Sequence, residues 1–154
     1  MRGLVQRVSS ASVSIAGGPV GGEVVGEIGP GLCVLIGVTH SDTSDTAEAM
    51  AEKLWNLRLF DDADGVMNLS AATLELPILI VSQFTLYADT RKGRRPSYLE
   101  AAKPEAAEPL IEALVKALRT RGAQVQTGRF RADMAVSLVN DGPITLTVEI
   151  EQKP

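Results

Sequence analysis

Val5, Val8, Val13 and Ile15, with serines between them, predict an opening strand with one buried face. Gly17-Gly18-Pro19 turns the chain, and Gly21-Gly22 extends that loop. Glu23–Ile28 and Leu32–Val38 then read as an antiparallel pair around Gly29-Pro30-Gly31. The second of these is apolar on both faces, which places it in the middle of a sheet. Ser41-Asp42 offers an N-cap for a helix running to about Leu59, with Ala47, Met50, Ala51, Leu54 and Leu57 on its apolar stripe. Asp64-Gly65 reads as a hairpin turn, and Pro77–Ala88 as the longest strand. A second helix is expected over Lys103–Arg121, striped by Ile111, Leu114, Val115 and Leu118 and stopped by Gly122. Pro104 and Pro109 compete for its first position, so its start stays open. Two final strands, Ala135–Val139 and Ile144–Ile150, hinge at Asn140-Asp141-Gly142-Pro143. The expected fold is a single α+β domain: a mixed, mainly antiparallel sheet curling towards a barrel, with two principal helices.

Composition narrows the class without naming it. A chain of 154 residues buries roughly two-thirds of its extended surface, enough for one core and too little for two domains. Aromatic residues are only 4%, so that core must come from Ala, Val, Leu and Ile. A net charge of −4 argues against a dedicated nucleic-acid binder but allows a local basic patch. The single cysteine, Cys33, excludes an internal disulfide and a cysteine-based zinc site, and reads as inert core. Leu32–Ile36 and Ile78–Val81, the longest apolar runs, are far short of a membrane span. Gln6 and Arg7 interrupt the N-terminal apolar pattern, so no secretory signal is seen and the expected compartment is the cytoplasm.

Much familiar chemistry is missing. His40 is the one histidine, no Gly-x-Ser-x-Gly elbow presents a serine to it, and it reads as a solvated loop residue. Neither a phosphate loop nor a Gly-x-Gly-x-x-Gly turn occurs. The acidic run Asp61-Asp62-Ala63-Asp64 lacks calcium-loop spacing, with Ala71 where the closing Glu belongs. Catalysis would have to rest on hydroxyls, amides, backbone groups or the substrate itself. Three polar segments in unusual settings remain. Ser82-Gln83-Phe84-Thr85-Leu86 directly follows the apolar run Ile78–Val81, and strand alternation puts Gln83, Thr85 and Tyr87 on one face. Asn140-Asp141-Gly142-Pro143-Ile144-Thr145 has the composition of a tight turn. Arg91-Lys92-Gly93-Arg94-Arg95 places four cations near any site built on the first segment.

Taken together, these segments closely resemble the D-aminoacyl-tRNA deacylase family. Ser82-Gln83-Phe84-Thr85-Leu86 and Asn140-x-Gly142-Pro143-x-Thr145 match its two hallmarks, in order and at near-family spacing. Gln6-Arg7-Val8 with Ala11-Ser12-Val13, Gly93-x-Arg95-Pro96-Ser97 and Thr127-Gly128-x-Phe130 fit as well, so the likeness covers essentially the whole chain. Ile144, where valine is commoner, and a glycine-richer N-terminal loop depart from the pattern. The resemblance implies a homodimer with its pocket at the subunit interface and no metal or organic cofactor. It implies hydrolysis of the ester between a D-amino acid and the terminal adenosine of tRNA, and of glycine mischarged on alanine tRNA. Ser82, Gln83, Phe84 and Thr85 would line the pocket mainly through main-chain groups, with the substrate 2′-hydroxyl assisting. An older family proposal makes the hydroxyl of Thr85 the nucleophile, although no histidine or lysine nearby is evident as its base. Gly142-Pro143, cis in the family, would reach into the partner's pocket and exclude L side chains. Arg7 would fix that loop, Met134 would border the pocket, and Lys92, Arg94 and Arg95 would meet the RNA. Two other readings stay open: a non-catalytic RNA-binding dimer, and a Thr-nucleophile hydrolase of small D-amino acid derivatives.

Overall fold

The long strand β1 (Arg2–Ile15) organises the molecule, whose computed structural model describes residues 1–15 and 22–152. The expected turn at Gly17-Gly18-Pro19, with Gly21, lies outside the described residues. After β1 come β2 (Val24–Ile28), β3 (Gly31–Gly37) and α1 (Ser44–Asn56). A hairpin of β4 (Arg58–Asp61) and β5 (Met67–Ser70) follows, then the short α2 (Ala71–Leu74) and β6 (Ile78–Ser82). A 3-10 turn (Phe84–Tyr87), α3 (Pro104–Thr120), β7 (Val125–Thr127) and β8 (Met134–Glu149) complete the order.

β2 and β3 do not pair with each other, contrary to the hairpin expected from their sequence. Both run antiparallel to β1, β3 against Arg2–Val8 and β2 against Ala11–Ser14, so they lie end to end along one edge of it. Gly29-Pro30 is therefore a bend within one path. β8 takes the other edge of β1, and β6 and β7 add to β3 in parallel. The bend carries β2 round towards β7, and a Cβ on Gly26 would lie 2.7 Å from the Thr127 carbonyl oxygen. The mixed sheet thus nearly closes into a barrel.

Two apolar clusters explain the two-faced strands. Leu32, Val34 and Ile36 of β3, with Ile78 and Ile80 of β6, face Met50 and Leu54 of α1 and Leu114 and Leu118 of α3. Cys33, Leu79 and Val81 point the other way, into the barrel, where they meet Val8, Ala11 and Val13. Burial pushes the Cys33 thiol up to about 11, which keeps it an unreactive apolar filler. β1 does not bury a single face either: Val5 joins the helix side and Val8 the barrel side. Pairing irregularities around Val8 change the parity of the strand there.

The first helix is shorter than its stripe suggests. It begins after Thr43, and Asp42 is not its cap: the Asp42 carboxylate accepts from the Met1 amine (2.5 Å) and the Thr39 amide (2.8 Å). It ends at Asn56, because Leu57 turns extended and Leu59 enters β4. α3 starts with Pro104 in its first turn, and Pro109 lies inside it. Gly122 follows it at φ +95°, as expected of a helix stop.

Candidate active site

Ser82 closes β6 opposite Ile36, and the Gln83 amide donates to the Ile36 carbonyl at 2.7 Å. The chain then leaves the sheet. The expected strand to Ala88 stops here, and Phe84–Tyr87 form the 3-10 turn instead. Strand alternation therefore does not govern Gln83, Thr85 and Tyr87. The turn is closed by Leu86 N donating to Gln83 O (3.3 Å) and Ala88 N donating to Thr85 O (3.0 Å). Its first amides have no partner one turn back. Among the described residues the N–H groups of Phe84 and Thr85 make no hydrogen bond. The Thr85 hydroxyl accepts from the Gln83 side-chain amide, and no lysine or histidine among the described residues hydrogen-bonds to it. His40 is exposed, its Nε2 held 2.7 Å from the Leu99 carbonyl.

Beside this turn lies an apolar cleft of about 460 Å³. Ser82, Gln83 and Phe84 form one side, with Ile36 and Val38 of the central region, Pro104 and Ala107 of α3, and Phe130 across from them. Phe84 meets Tyr98 edge-to-face at 5.1 Å between ring centroids, although both rings remain largely exposed. Tyr98 and Arg131 also line this cleft and were missed by the sequence reading; an exposed Tyr just after Pro96-Ser97 was the available signal. A second groove of about 670 Å³ continues past Ser82, Ile111 and Phe130, between α3 and β7.

The other hallmark sits elsewhere in the same chain. It is not a turn joining two separate strands, because both halves of β8 pair with β1. Between the pairs Val8↔Asn140 and Gln6↔Thr145, five steps along β8 answer two along β1, so the surplus bulges outward. Asn140 and Thr145 clamp its base: Asn140 Nδ2 donates to Thr145 Oγ1 at 2.6 Å, and Ile144 N to Asn140 Oδ1 at 3.2 Å. Gly142-Pro143 at the tip is cis, with Gly142 at φ +118°, and both residues are exposed. The largely buried Arg7 side chain braces the bulge, its guanidinium donating to the Asp141 carbonyl at 3.3 Å and the Leu59 carbonyl at 2.8 Å. None of residues 140–145 lines the cleft beside Ser82–Phe84, so one chain does not bring its two hallmarks together. Met134 pairs with Ile15 and packs over Gly128, which edges the larger groove; it does not line the apolar cleft.

The basic loop that follows the 3-10 turn is closed by reciprocal backbone hydrogen bonds between Asp89 and Ser97. Arg91 is exposed but paired within the loop. Its guanidinium clasps Asp89 at 2.7 and 2.9 Å, and that pairing holds the Asp89 carboxyl at about 2. Lys92, Arg94 and Arg95 are exposed and form no ion pair among the described residues. The loop thus presents three unpaired cations and a fourth, Arg91, that is exposed but paired with Asp89. The described residues include no group of His, Cys, Asp and Glu arranged to hold a metal. Among the described residues no helix is long and apolar enough to cross a membrane.

The model of the D-Tyr-tRNA(Tyr) deacylase family matches residues 4–149. A D-aminoacyl-tRNA deacylase of Chloroflexus aurantiacus is 54% identical over 97% of this chain and 90% of its own. One from Thermus aquaticus is 53% identical over 100% and 98%. A solved structure of a c-Myc DNA unwinding element binding protein superposes with a TM-score of 0.89 at 38% identity, covering 99% of this chain and all of the other. A probable eukaryotic D-amino acid tRNA deacylase shares the fold at 16% identity, with a TM-score of 0.83 over 97% and 98%. With both hallmarks accounted for in three dimensions, the chain belongs to the D-Tyr-tRNA(Tyr) deacylase family.

Proposed function

We propose that this chain hydrolyses the ester of D-aminoacyl-tRNA in the cytoplasm, acting as a homodimer that proofreads chirality during translation. The observation that carries the reading is the 3-10 turn, whose Phe84 lines an apolar cleft and whose Phe84 and Thr85 amides are unpaired, Thr85 lying one residue beyond that lining. An aminoacyl ester is already activated, so positioned amide donors and held geometry supply much of the acceleration. Water adds to the ester carbonyl, the Phe84 and Thr85 amides take the developing negative charge, and the bond to the ribose oxygen breaks. The neighbouring 2′-hydroxyl passes the proton. Gly142-Pro143 of a second copy forms the opposite wall, where an L side chain clashes and a D side chain points away. Glycine carries no side chain to reject, so glycine mischarged on alanine tRNA is accepted. No metal or organic cofactor enters this scheme.

The test is release of amino acid from D- and L-tyrosyl-tRNA measured side by side. Many turnovers on the D substrate with none on the L substrate are expected. Binding without release would favour the non-catalytic RNA-binding dimer, and cleavage of small D-amino acid esters lacking RNA would favour a Thr85 nucleophile. Thr85→Ala separates the two chemistries. Loss of one hydroxyl from a main-chain pocket costs about 1–2 kcal/mol, or roughly 5–30-fold in rate, whereas loss of a nucleophile removes the covalent route entirely. The Gln83–Thr85 hydrogen bond favours the smaller figure.

The basic loop is assigned to affinity. Replacing Lys92 and Arg94 together by Ala should leave the maximal rate nearly unchanged. It should lower the slope of log affinity against log salt by roughly 1.4–1.8, the release expected from two lost phosphate contacts. An Arg91→Ala variant makes the comparison, since that side chain is already committed to Asp89. An unchanged slope in the double variant would show a loop that is merely solvated.

A further inference from the structure

Arg2 opens β1, and its side chain reaches the 3-10 turn from behind. Nη1 donates to the Leu86 carbonyl at 3.2 Å, and the guanidinium carbon stands 4.5 Å from the centroid of the Tyr87 ring. Nε donates to Glu149 Oε1 at 2.8 Å, so the fork is held on two sides at once. The Leu86 carbonyl belongs to the last part of the turn, where a short helix has no internal donor left for it. Tyr87, by contrast, is almost fully buried and fixes the turn in the body of the protein. Arg2 thus joins the turn's loose end to its anchored residue.

The register of the sheet makes this possible. Arg2 is paired across the ladder with Gly37 on one side and with Glu149 on the other. Gly37 lies directly under the turn. A Cβ there would stand 3.0 Å from Leu86 Cβ and 3.1 Å from both Gln83 O and Tyr87 Cδ2. The turn therefore sits on a glycine and is clasped from the next strand by a guanidinium. Planarity matters here, because one flat group must satisfy a carbonyl, a carboxylate and a ring face together.

We propose that Arg2 is a positioning residue for hydrolysis, holding the Phe84–Tyr87 turn so that its unpaired Phe84 and Thr85 amides keep a fixed position relative to the cleft that Phe84 lines. The assignment rests on the reading of that turn as the catalytic element. Arg2 touches no reacting atom. Its contribution is to geometry, and small displacements of a preorganised donor are costly in rate.

The test uses the full chain with Arg2→Met, which keeps the stem and removes the fork. On D-tyrosyl-tRNA, kcat is expected to fall about 10-fold with KM within about twofold, the signature of an interaction expressed in the transition state. Loss of a distant cation from RNA binding would instead raise KM and flatten the salt dependence. Arg2→Lys keeps a cation near Tyr87 but not the flat fork, so it should recover kcat only in part, to about three- to fivefold below the parent. Hydrogen exchange of the Leu86 and Ala88 amides, which close the turn, should quicken in Arg2→Met while the melting temperature changes little. If Arg2→Met does not fold, Glu149→Gln replaces it, since it weakens one hold on the fork and leaves the turn's own residues intact. Unchanged amide exchange overturns the proposal, whatever the rate does. Quickened exchange with unchanged kcat also overturns it, and in that case the fault lies in the reading of the turn as catalytic.

Discussion

Gly142→Ala is expected to reduce hydrolysis of D-aminoacyl-tRNA by at least about 100-fold, the scale reached when a positioned wall shifts by an ångström. Gly142 stands at φ +118°, a backbone state that L side chains rarely adopt. An added Cβ would come within 2.9 Å of Ile144 Cγ1 and 3.0 Å of Arg7 Nη2. The substitution therefore strains the bulge and pushes against the guanidinium that braces it. Strain of this kind costs on the order of 1–3 kcal/mol, which a domain of this size survives. Folded, RNA-binding and nearly inactive protein is the expected result.

The same variant tests the assembly. Mixed with a second inactive variant, Gly37→Val, whose side chain would displace the 3-10 turn, it should regain activity if the two hallmarks meet across subunits. Each mixed dimer then holds one intact pocket, so an equal mixture recovers about a quarter of the parent activity. No recovery, with subunit exchange verified by mass, would show that both hallmarks serve a pocket within one chain. Full activity of Gly142→Ala alone would remove the Gly-Pro bulge from the site.

Much of this was legible in the sequence, and what was not has physical reasons. The central position of Leu32–Val38 followed from its two apolar faces, since helices cover one and the barrel interior the other. The expected hairpin between β2 and β3 failed because Gly29-Pro30 has the composition of a turn whether the chain reverses or only bends. Which of these happens is decided by β1, a partner too long for either strand alone. Likewise Pro77–Ala88 reads as one continued strand because Phe84, Thr85 and Tyr87 are all strand-favouring residues. The main chain leaves the sheet there because Gln83 makes the last ladder bond, to Ile36, and Gly37 leaves room for the turn above it. The Asn140–Thr145 segment was recognisable as irregular, but a bulge and a hairpin share the same residues until the register with Gln6 and Val8 is seen. Arg91 counted as a free cation in the sequence and forms an exposed pair with Asp89 in the fold.

Gly31→Ala carries the largest expected loss of stability. Gly31 begins β3 at the bend, and a Cβ there would lie 2.2 Å from the Pro77 carbonyl oxygen, which is backbone and cannot swing aside. That same oxygen accepts from the Leu32 amide at 3.1 Å. Separating the two segments would stretch this bond and disturb the parallel pair of β3 and β6 at its first residue, Leu32↔Ile78. Overpacking and the weakened hydrogen bond together should cost about 3 kcal/mol or more. For a domain of this length that corresponds to a fall of roughly 6–12 °C in melting temperature. Thermal unfolding of Gly31→Ala beside Gly29→Ala makes a sharp comparison, because a Cβ on Gly29 meets nothing within 4 Å. Equal melting temperatures would show that the bend yields easily.

The pairing of β1 with β8 also sets a timetable for synthesis. Arg2 lies opposite Glu149, and Ile15 opposite Met134, so one whole edge of the first strand waits for the last one. At roughly 5–20 residues per second, that wait lasts about 7–27 s after β1 leaves the ribosome. During it β2, β3 and β6 can assemble on the other side, but an open hydrogen-bonding edge stays exposed to neighbouring nascent chains. The Gly142-Pro143 bulge belongs to the strand that finally covers this edge, so the wall proposed for it is made in the same step that closes the open edge.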